Sequence, residues 1–306
     1  MRRETRQVTI DRLPLLALLG LFLLTGCVGQ AGQVVAWPDG PRGGRIVRTE
    51  HYDLHTTLRD PALLDAMADT MERTHQLYER LAPLPDRAEA EAGGADDRME
   101  AFIFALRDEW VDHTRETTGR QSRIYLQISR GGYAHDKSFA TFYHGGPQTL
   151  SVCRHEGWHQ YVANGFVRRP PAFLEEGIAT LFESGFDDND LSRPRLNAGR
   201  LSKLREAVRR QRAWPLAKLL TMDAGDVVGT DGRTIDTFYA QAWALARFLV
   251  SDDELRPGFR DLLAACASGQ VAGSTSRMFE THLGIPFAEV SKRYETYVRN
   301  LVRTRP

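Results

Sequence analysis

The run His155-Glu156-Gly157-Trp158-His159 constrains this chain more than any other stretch. Two histidines four residues apart share a face on an α-helix, so the pattern goes with a helix over 147–164, with Gly165 just past its end. On that face two neutral imidazoles can hold one metal ion. Glu156, beside the first of them, can reach a metal-activated water instead of the metal. Two imidazoles, an open coordination position and a carboxylate base are the parts of a zinc hydrolase. The same histidines could equally be ordinary core or surface residues, so a third ligand decides. Downstream, Pro171-Ala172-Phe173-Leu174-Glu175-Glu176-Gly177-Ile178-Ala179 opens a second predicted helix, 171–184, stopped by Gly185. A short loop after Asn164 would let that helix return and bring a carboxylate to the histidines.

His-Glu-x-x-His followed by Phe-Leu-Glu-Glu-Gly-Ile-Ala resembles the gluzincin metallopeptidases, and within them the peptidase-MA-like proteins, many of them bacterial lipoproteins. The resemblance implies an α+β gluzincin zinc-peptidase fold and a Zn²⁺ held by His155, His159 and Glu176, the Glu directly before Gly. Glu175 stands in the variable position before it. Glu156 is then the general base. Glu183 lies seven residues after Glu176, two turns on along the same face. Aminopeptidase-like relatives carry a Glu at this offset, where it can accept the outer N–H of a ligating histidine and fix its tautomer. Thr180, one turn after Glu176, competes for that task, and Glu183 could also be a plain solvated residue at a helix end. Gluzincins often stabilise the oxyanion with a Tyr or His from the helical half. Phe238-Tyr239-Ala240-Gln241-Ala242-Trp243-Ala244-Leu245 resembles a stretch that recurs in peptidase-MA-like proteins. Tyr239 is therefore the first candidate donor and His144 the second, the alternative for Tyr239 being a packing role on a buried helix. By analogy with zinc peptidases, a sheet edge at 138–143 would pair with an extended peptide substrate. The Gly-x-Met-x-Asn amine-binding motif of aminopeptidase-N-like enzymes is absent, which favours endopeptidase action or an unusual specificity and leaves the aminopeptidase reading open.

The first 26 residues read as an address. Arg2, Arg3, Arg6 and Arg12 form a basic region, and an apolar run from Leu15 to Leu24 follows, too short for a comfortable membrane span. Leu24-Thr25-Gly26-Cys27 looks like a bacterial lipobox, which implies cleavage before Cys27 and acylation of that cysteine. An exported, lipid-anchored protein of the cell envelope is expected, at the outer membrane or cell surface. Residues 27–44 read as a lipidated tether, rich in Gly. With Cys27 lipidated, Cys153 and Cys266 remain, and two separate buried thiols are preferred over a disulfide.

The remaining chain, 45–306, is expected to be one catalytic domain. Its sheet-bearing half, 45–165, shows strand patterns at 45–57, 99–105, 122–129 and 138–143. Helices are expected at 61–81, capped by Asp60-Pro61, and at 106–118, with an acidic loop over 85–98. Gly131, Gly132 and Tyr133 open a loop, with His135 and Asp136 as solvated loop residues. The half from 166 to 306 reads as helical, with helices at 198–213, 234–250, 254–268, 274–283 and 286–302. Lys+Arg and Asp+Glu both number 40, which disfavours a nucleic-acid binder living on phosphate contacts. The expected partners are a peptide or protein substrate and the membrane. Two rivals stand beside the enzyme: a non-catalytic peptide- or envelope-binding lipoprotein on the same fold, and a structural lipoprotein whose motif is accidental.

Overall fold

The computed structural model describes residues 32–85, 98–222 and 230–304. Cys27 and the leader lie outside the described residues. Among the described residues no helix is long and apolar enough to cross a membrane.

The architecture is α+β: a six-stranded mixed sheet in the first half and a helical second half. The chain opens with β1 (Gln33–Ala36), β2 (Arg45–Arg48) and β3 (Tyr52–Thr56), an antiparallel meander. Helix α1 (Pro61–Leu81) then leads to β4 (Met99–Phe104), which pairs parallel with β3. Helix α2 (Arg107–Thr118) and a short turn, α3 (Ser122–Tyr125), precede the hairpin of β5 (Gly132–His135) and β6 (Ser138–Phe142). β6 pairs parallel with β4, so the strand order is β1-β2-β3-β4-β6-β5 and β5 forms one edge. The helices α4 (Gly146–Gly165), α5 (Ala172–Ser184), α6 (Ala198–Arg209), α7 (Leu216–Leu219), α8 (Gly232–Ser251), α9 (Leu255–Ala267), α10 (Thr275–Leu283) and α11 (Phe287–Leu301) complete the chain.

Helix α1 forms where the sequence signals it. The Asp60 side chain accepts from the Ala62 N–H at 3.0 Å, and Pro61 takes the first helical position. Its face of Leu64, Met67, Met71, Leu77, Tyr78 and Leu81 is buried. One part of that stripe packs on the sheet with Val47, Tyr52, Leu54, Ala101, Ile103 and Cys153. The other joins the large helical core around Trp158, Phe173, Phe182, Phe238 and Trp243. Gly157 is what lets α1 approach α4 so closely. A methyl group there would stand 2.9 Å from the Tyr78 hydroxyl, which instead donates to the Arg154 carbonyl at 2.5 Å. The glycine thus exchanges some helix propensity for packing.

Five expectations need correction. Residues 122–129 are not a strand: 119–121 form a 3₁₀ turn and 122–125 a turn of helix, followed by a bend. Three alternating apolar residues are too short a pattern, and among the described residues they have no strand partner; Ile124 is mostly exposed. The Gly-Gly-Tyr segment is a strand instead of a loop, because Asp136, at φ +51°, turns the chain back and pairs His135 with Ser138. The sheet edge is therefore β5, with β6 interior. Finally, 33–36 of the supposed tether joins the sheet as β1, and 45–57 is two strands separated by a turn.

Candidate metal centre

Helices α4 and α5 meet where the motif residues converge. Their mutual placement is fixed from the α4 side. Arg154 donates to the Phe182 and Glu183 carbonyls at 2.9 and 2.7 Å, and Ser151 donates to the Glu183 carbonyl at 3.0 Å. These donors satisfy the open carbonyls at the end of α5. From the sheet side, the Gln160 amide donates to the Glu100 and Lys137 carbonyls at 2.7 and 2.8 Å, tying α4 to β4 and the β5–β6 turn. Behind α5, Gly177 sits so close to α8 that a methyl group would fall 2.4 Å from the Ala242 carbonyl oxygen.

This frame aims three ligand atoms at one point. His155 Nε2 and His159 Nε2 are 3.3 Å apart, and Glu176 Oε2 lies 3.6 and 3.5 Å from them. A tetrahedral ion with bonds of about 2.0–2.1 Å holds neighbouring donors about 3.3–3.5 Å apart, so the triangle is already the right size for zinc. Glu176 Oε2 is buried and makes no hydrogen bond, an acceptor waiting for a positive partner. The donor set therefore fits the ion.

Both imidazoles are oriented by carboxylates on their far side. His155 Nδ1 faces Glu183 Oε1 at 3.1 Å, and His159 Nδ1 faces Glu175 Oε1 at 2.8 Å. An ionised carboxylate only accepts, so each Nδ1 carries the proton and each Nε2 offers its lone pair to the shared point. Glu183 is fixed by Arg200, whose guanidinium reaches it at 2.6 Å, and by the Asn197 amide at 2.8 Å. Glu175 is held by Arg169 in a two-pronged ion pair. The Thr180 hydroxyl donates to the Glu176 and Gly177 carbonyls of its own helix at 2.9 Å, which removes it as a histidine partner.

The charges tell the same story. Burial works against an ionised Glu183, but hydrogen bonds from His155 and the charge of Arg200 hold it at about 2. Glu175 and Glu176 are likewise held below the usual range against burial, by His159 with Arg169 and by the two histidines respectively. Burial disfavours a charged His155, yet Glu176 and Glu183 lift it to about 9. His159 is raised in the same way by Glu176 and Glu175. In the metal-free protein these rings thus attract a proton to the place where a cation fits.

A cleft of about 820 Å³ opens over this point, lined by the β5 edge at Gly131, Gly132, Tyr133 and Ala134, by Ile124 and Ile128, and by the helices. Glu156 lines it and is buried, which raises its carboxyl pKa, with the nearby histidines pulling the other way. Tyr239 lines it from α8, its ring under the Arg200 guanidinium at 5.0 Å. Burial and then the charge of Glu176 push its phenol above the ordinary value. His144 also borders the cleft, but its Nε2 is engaged with the Gly131 backbone at 3.0–3.1 Å. Cys153 and Cys266 are free and buried in different cores, and burial pushes the Cys153 thiol up to about 12.

His155, Glu156, His159, Glu176, Glu183 and Tyr239 are therefore brought together around one cleft. Glu175, Arg169, Arg200 and Asn197 were missed. Glu175 is the instructive case, since it grips a histidine sixteen residues away across a helix–helix contact that no periodicity announces.

Residues 149–265 match the family model described as "Protein of unknown function (DUF1570)". The match covers less than half the chain but contains His155, Glu156, His159, Glu176, Glu183 and Tyr239. No curated protein matches the chain.

Proposed function

We propose that this protein is a zinc-dependent metallopeptidase of gluzincin type, anchored at the cell envelope through lipid on Cys27. The observation that carries this reading is the convergence of His155 Nε2, His159 Nε2 and Glu176 Oε2 at 3.3–3.6 Å, with a carboxylate on each outer Nδ1. A zinc ion held by these residues supplies Lewis acidity, lowering the pKa of water toward about 7 and polarising a carbonyl.

The chain's own residues do the rest. Glu156 accepts the proton of the attacking water and returns it to the leaving amine. Burial raises its carboxyl pKa, which makes it a stronger base. Tyr239 keeps its hydroxyl proton at neutral pH and donates it as a hydrogen bond to the developing oxyanion. The β5 edge beside the cleft supports a peptide substrate, because an extended backbone can add to an edge strand.

The test begins with the full-length protein after exhaustive dialysis. A tightly held zinc is expected in the cleft, so Glu176→Ala should hold one zinc fewer than wild type. On a quenched fluorescent peptide library, wild type is expected to cleave and Glu156→Gln to lose about 10²–10⁴ in rate while keeping its zinc. A zinc content in Glu176→Ala equal to that of wild type would remove the proposed ligand set. Cleavage by Glu156→Gln at the wild-type rate would overturn the mechanism. Zinc bound with no cleavage of any peptide would favour a binding lipoprotein.

A further inference from the structure

A second cluster of ligand-type side chains stands behind the motif helix. His51 lies in the turn between β2 and β3, and His75 and Glu79 are four residues apart on one face of α1. One ligand atom from each of the three lies within 4.8 Å of the others. His75 Nε2 is 3.5 Å from Glu79 Oε1, and the His51 and His75 rings stack at 4.1 Å. None of the three lines the cleft.

Both rings are held from their Nδ1 side, His51 by a carboxylate and His75 by a tyrosine hydroxyl. Glu72 accepts from the His51 backbone N–H at 2.8 Å and from its Nδ1 at 2.7 Å, so His51 Nε2 keeps its lone pair. His75 Nδ1 is 3.4 Å from the buried Tyr52 hydroxyl, which leaves Nε2 toward Glu79. The alternative grouping of Glu50, His51 and Glu72 is poorer, because Glu72 spends both oxygens on His51. Two imidazole nitrogens and one carboxylate suit zinc and its borderline neighbours, whereas calcium and magnesium prefer oxygen alone.

We propose that His51, His75 and Glu79 form a second divalent zinc site, separate from the cleft, that pins α1 to the β2–β3 turn. The ion would stiffen the helix on which α4 rests. The His75 ring meets Tyr161 edge-on at 5.6 Å, and Tyr161 lies two residues beyond His159, on the opposite face of α4. Glu79 is half exposed, so its substitution leaves the core intact and the ion has solvent access.

The test uses full-length protein stripped with a chelator and titrated with Zn²⁺, followed by calorimetry and by melting temperature. Two ions per chain are expected. Glu79→Ala and His51→Ala should each weaken one of them by about tenfold or more and leave the other unchanged. Glu176→Ala, which removes the cleft ligand, should still bind one zinc and still gain melting temperature from it. That background separates failure of this inference from failure of the peptidase reading. No zinc bound by Glu176→Ala, or a zinc in that background that Glu79→Ala or His51→Ala leaves at full affinity, would overturn the proposal.

Discussion

Replacing Glu175 by alanine isolates what a carboxylate behind a ligand is worth. His159 Nδ1 to Glu175 Oε1 is 2.8 Å, and Glu175 is buried, so the bond is charge-assisted and shielded from water. Such a bond contributes roughly 1.5–3 kcal/mol. At about 1.4 kcal/mol per decade, zinc affinity should fall by about 10- to 100-fold. The other partner, Arg169, is 54% exposed and resolvates when released, so no buried charge is stranded. Glu183 is a less clean probe because its loss strands Arg200, whose side chain is only 24% exposed. Competition with a chromophoric chelator gives the dissociation constants. Glu175→Gln, which retains an acceptor oxygen without the charge, should fall between wild type and Glu175→Ala. Thr180→Val is the control, since that hydroxyl serves only its own helix, and it should bind zinc like wild type. Wild-type affinity in Glu175→Ala, with its fold intact by circular dichroism, would refute the argument that this carboxylate orients His159.

Three other outcomes follow from the geometry. Gly177→Ala forces a methyl group to 2.4 Å from the Ala242 carbonyl oxygen, so thermal unfolding should show a loss of about 1–3 kcal/mol from prising α5 and α8 apart. Tyr239→Phe should lower kcat on peptide substrates by about 10²–10³ while KM and zinc content hold, as steady-state kinetics and metal analysis would show. His113, against Phe102 and Phe104, is held by burial at about 4 instead of 6.5. The unfolded chain binds that proton more readily, so stability present above pH 6.5 is lost as pH falls toward 4. Melting curves of His113→Phe across that window should show a shallower pH dependence than wild type.

The fold was legible where local rules agree with one another. Asp60-Pro61 and a long apolar stripe specify α1, and Gly185, at φ +71°, stops α5 as its sequence suggests. The mixed sheet and the helical second half follow from the order of these patterns. Legibility failed where pairing decides. Residues 122–129 carry a strand-like alternation but have no strand partner among the described residues, whereas 132–135 carry two features of a loop, a leading glycine and a following turn, and become a strand because β6 supplies the ladder.

The same division holds within the site. Spacing alone puts His155 and His159 on one face and sets Glu156 beside them, because the helix repeat is a property of the backbone. The resemblance selects Glu176 over Glu175. Only the tertiary structure gives both glutamates work: successive residues on a helix point about 100° apart, so Glu176 faces the shared point while Glu175 reaches around to His159 Nδ1. The pairing of His51 with His75 and Glu79 is likewise invisible in sequence, since it depends on a strand turn meeting a helix twenty-four residues on. Local covalent geometry fixes what one element presents, and long-range packing alone decides which presented groups meet.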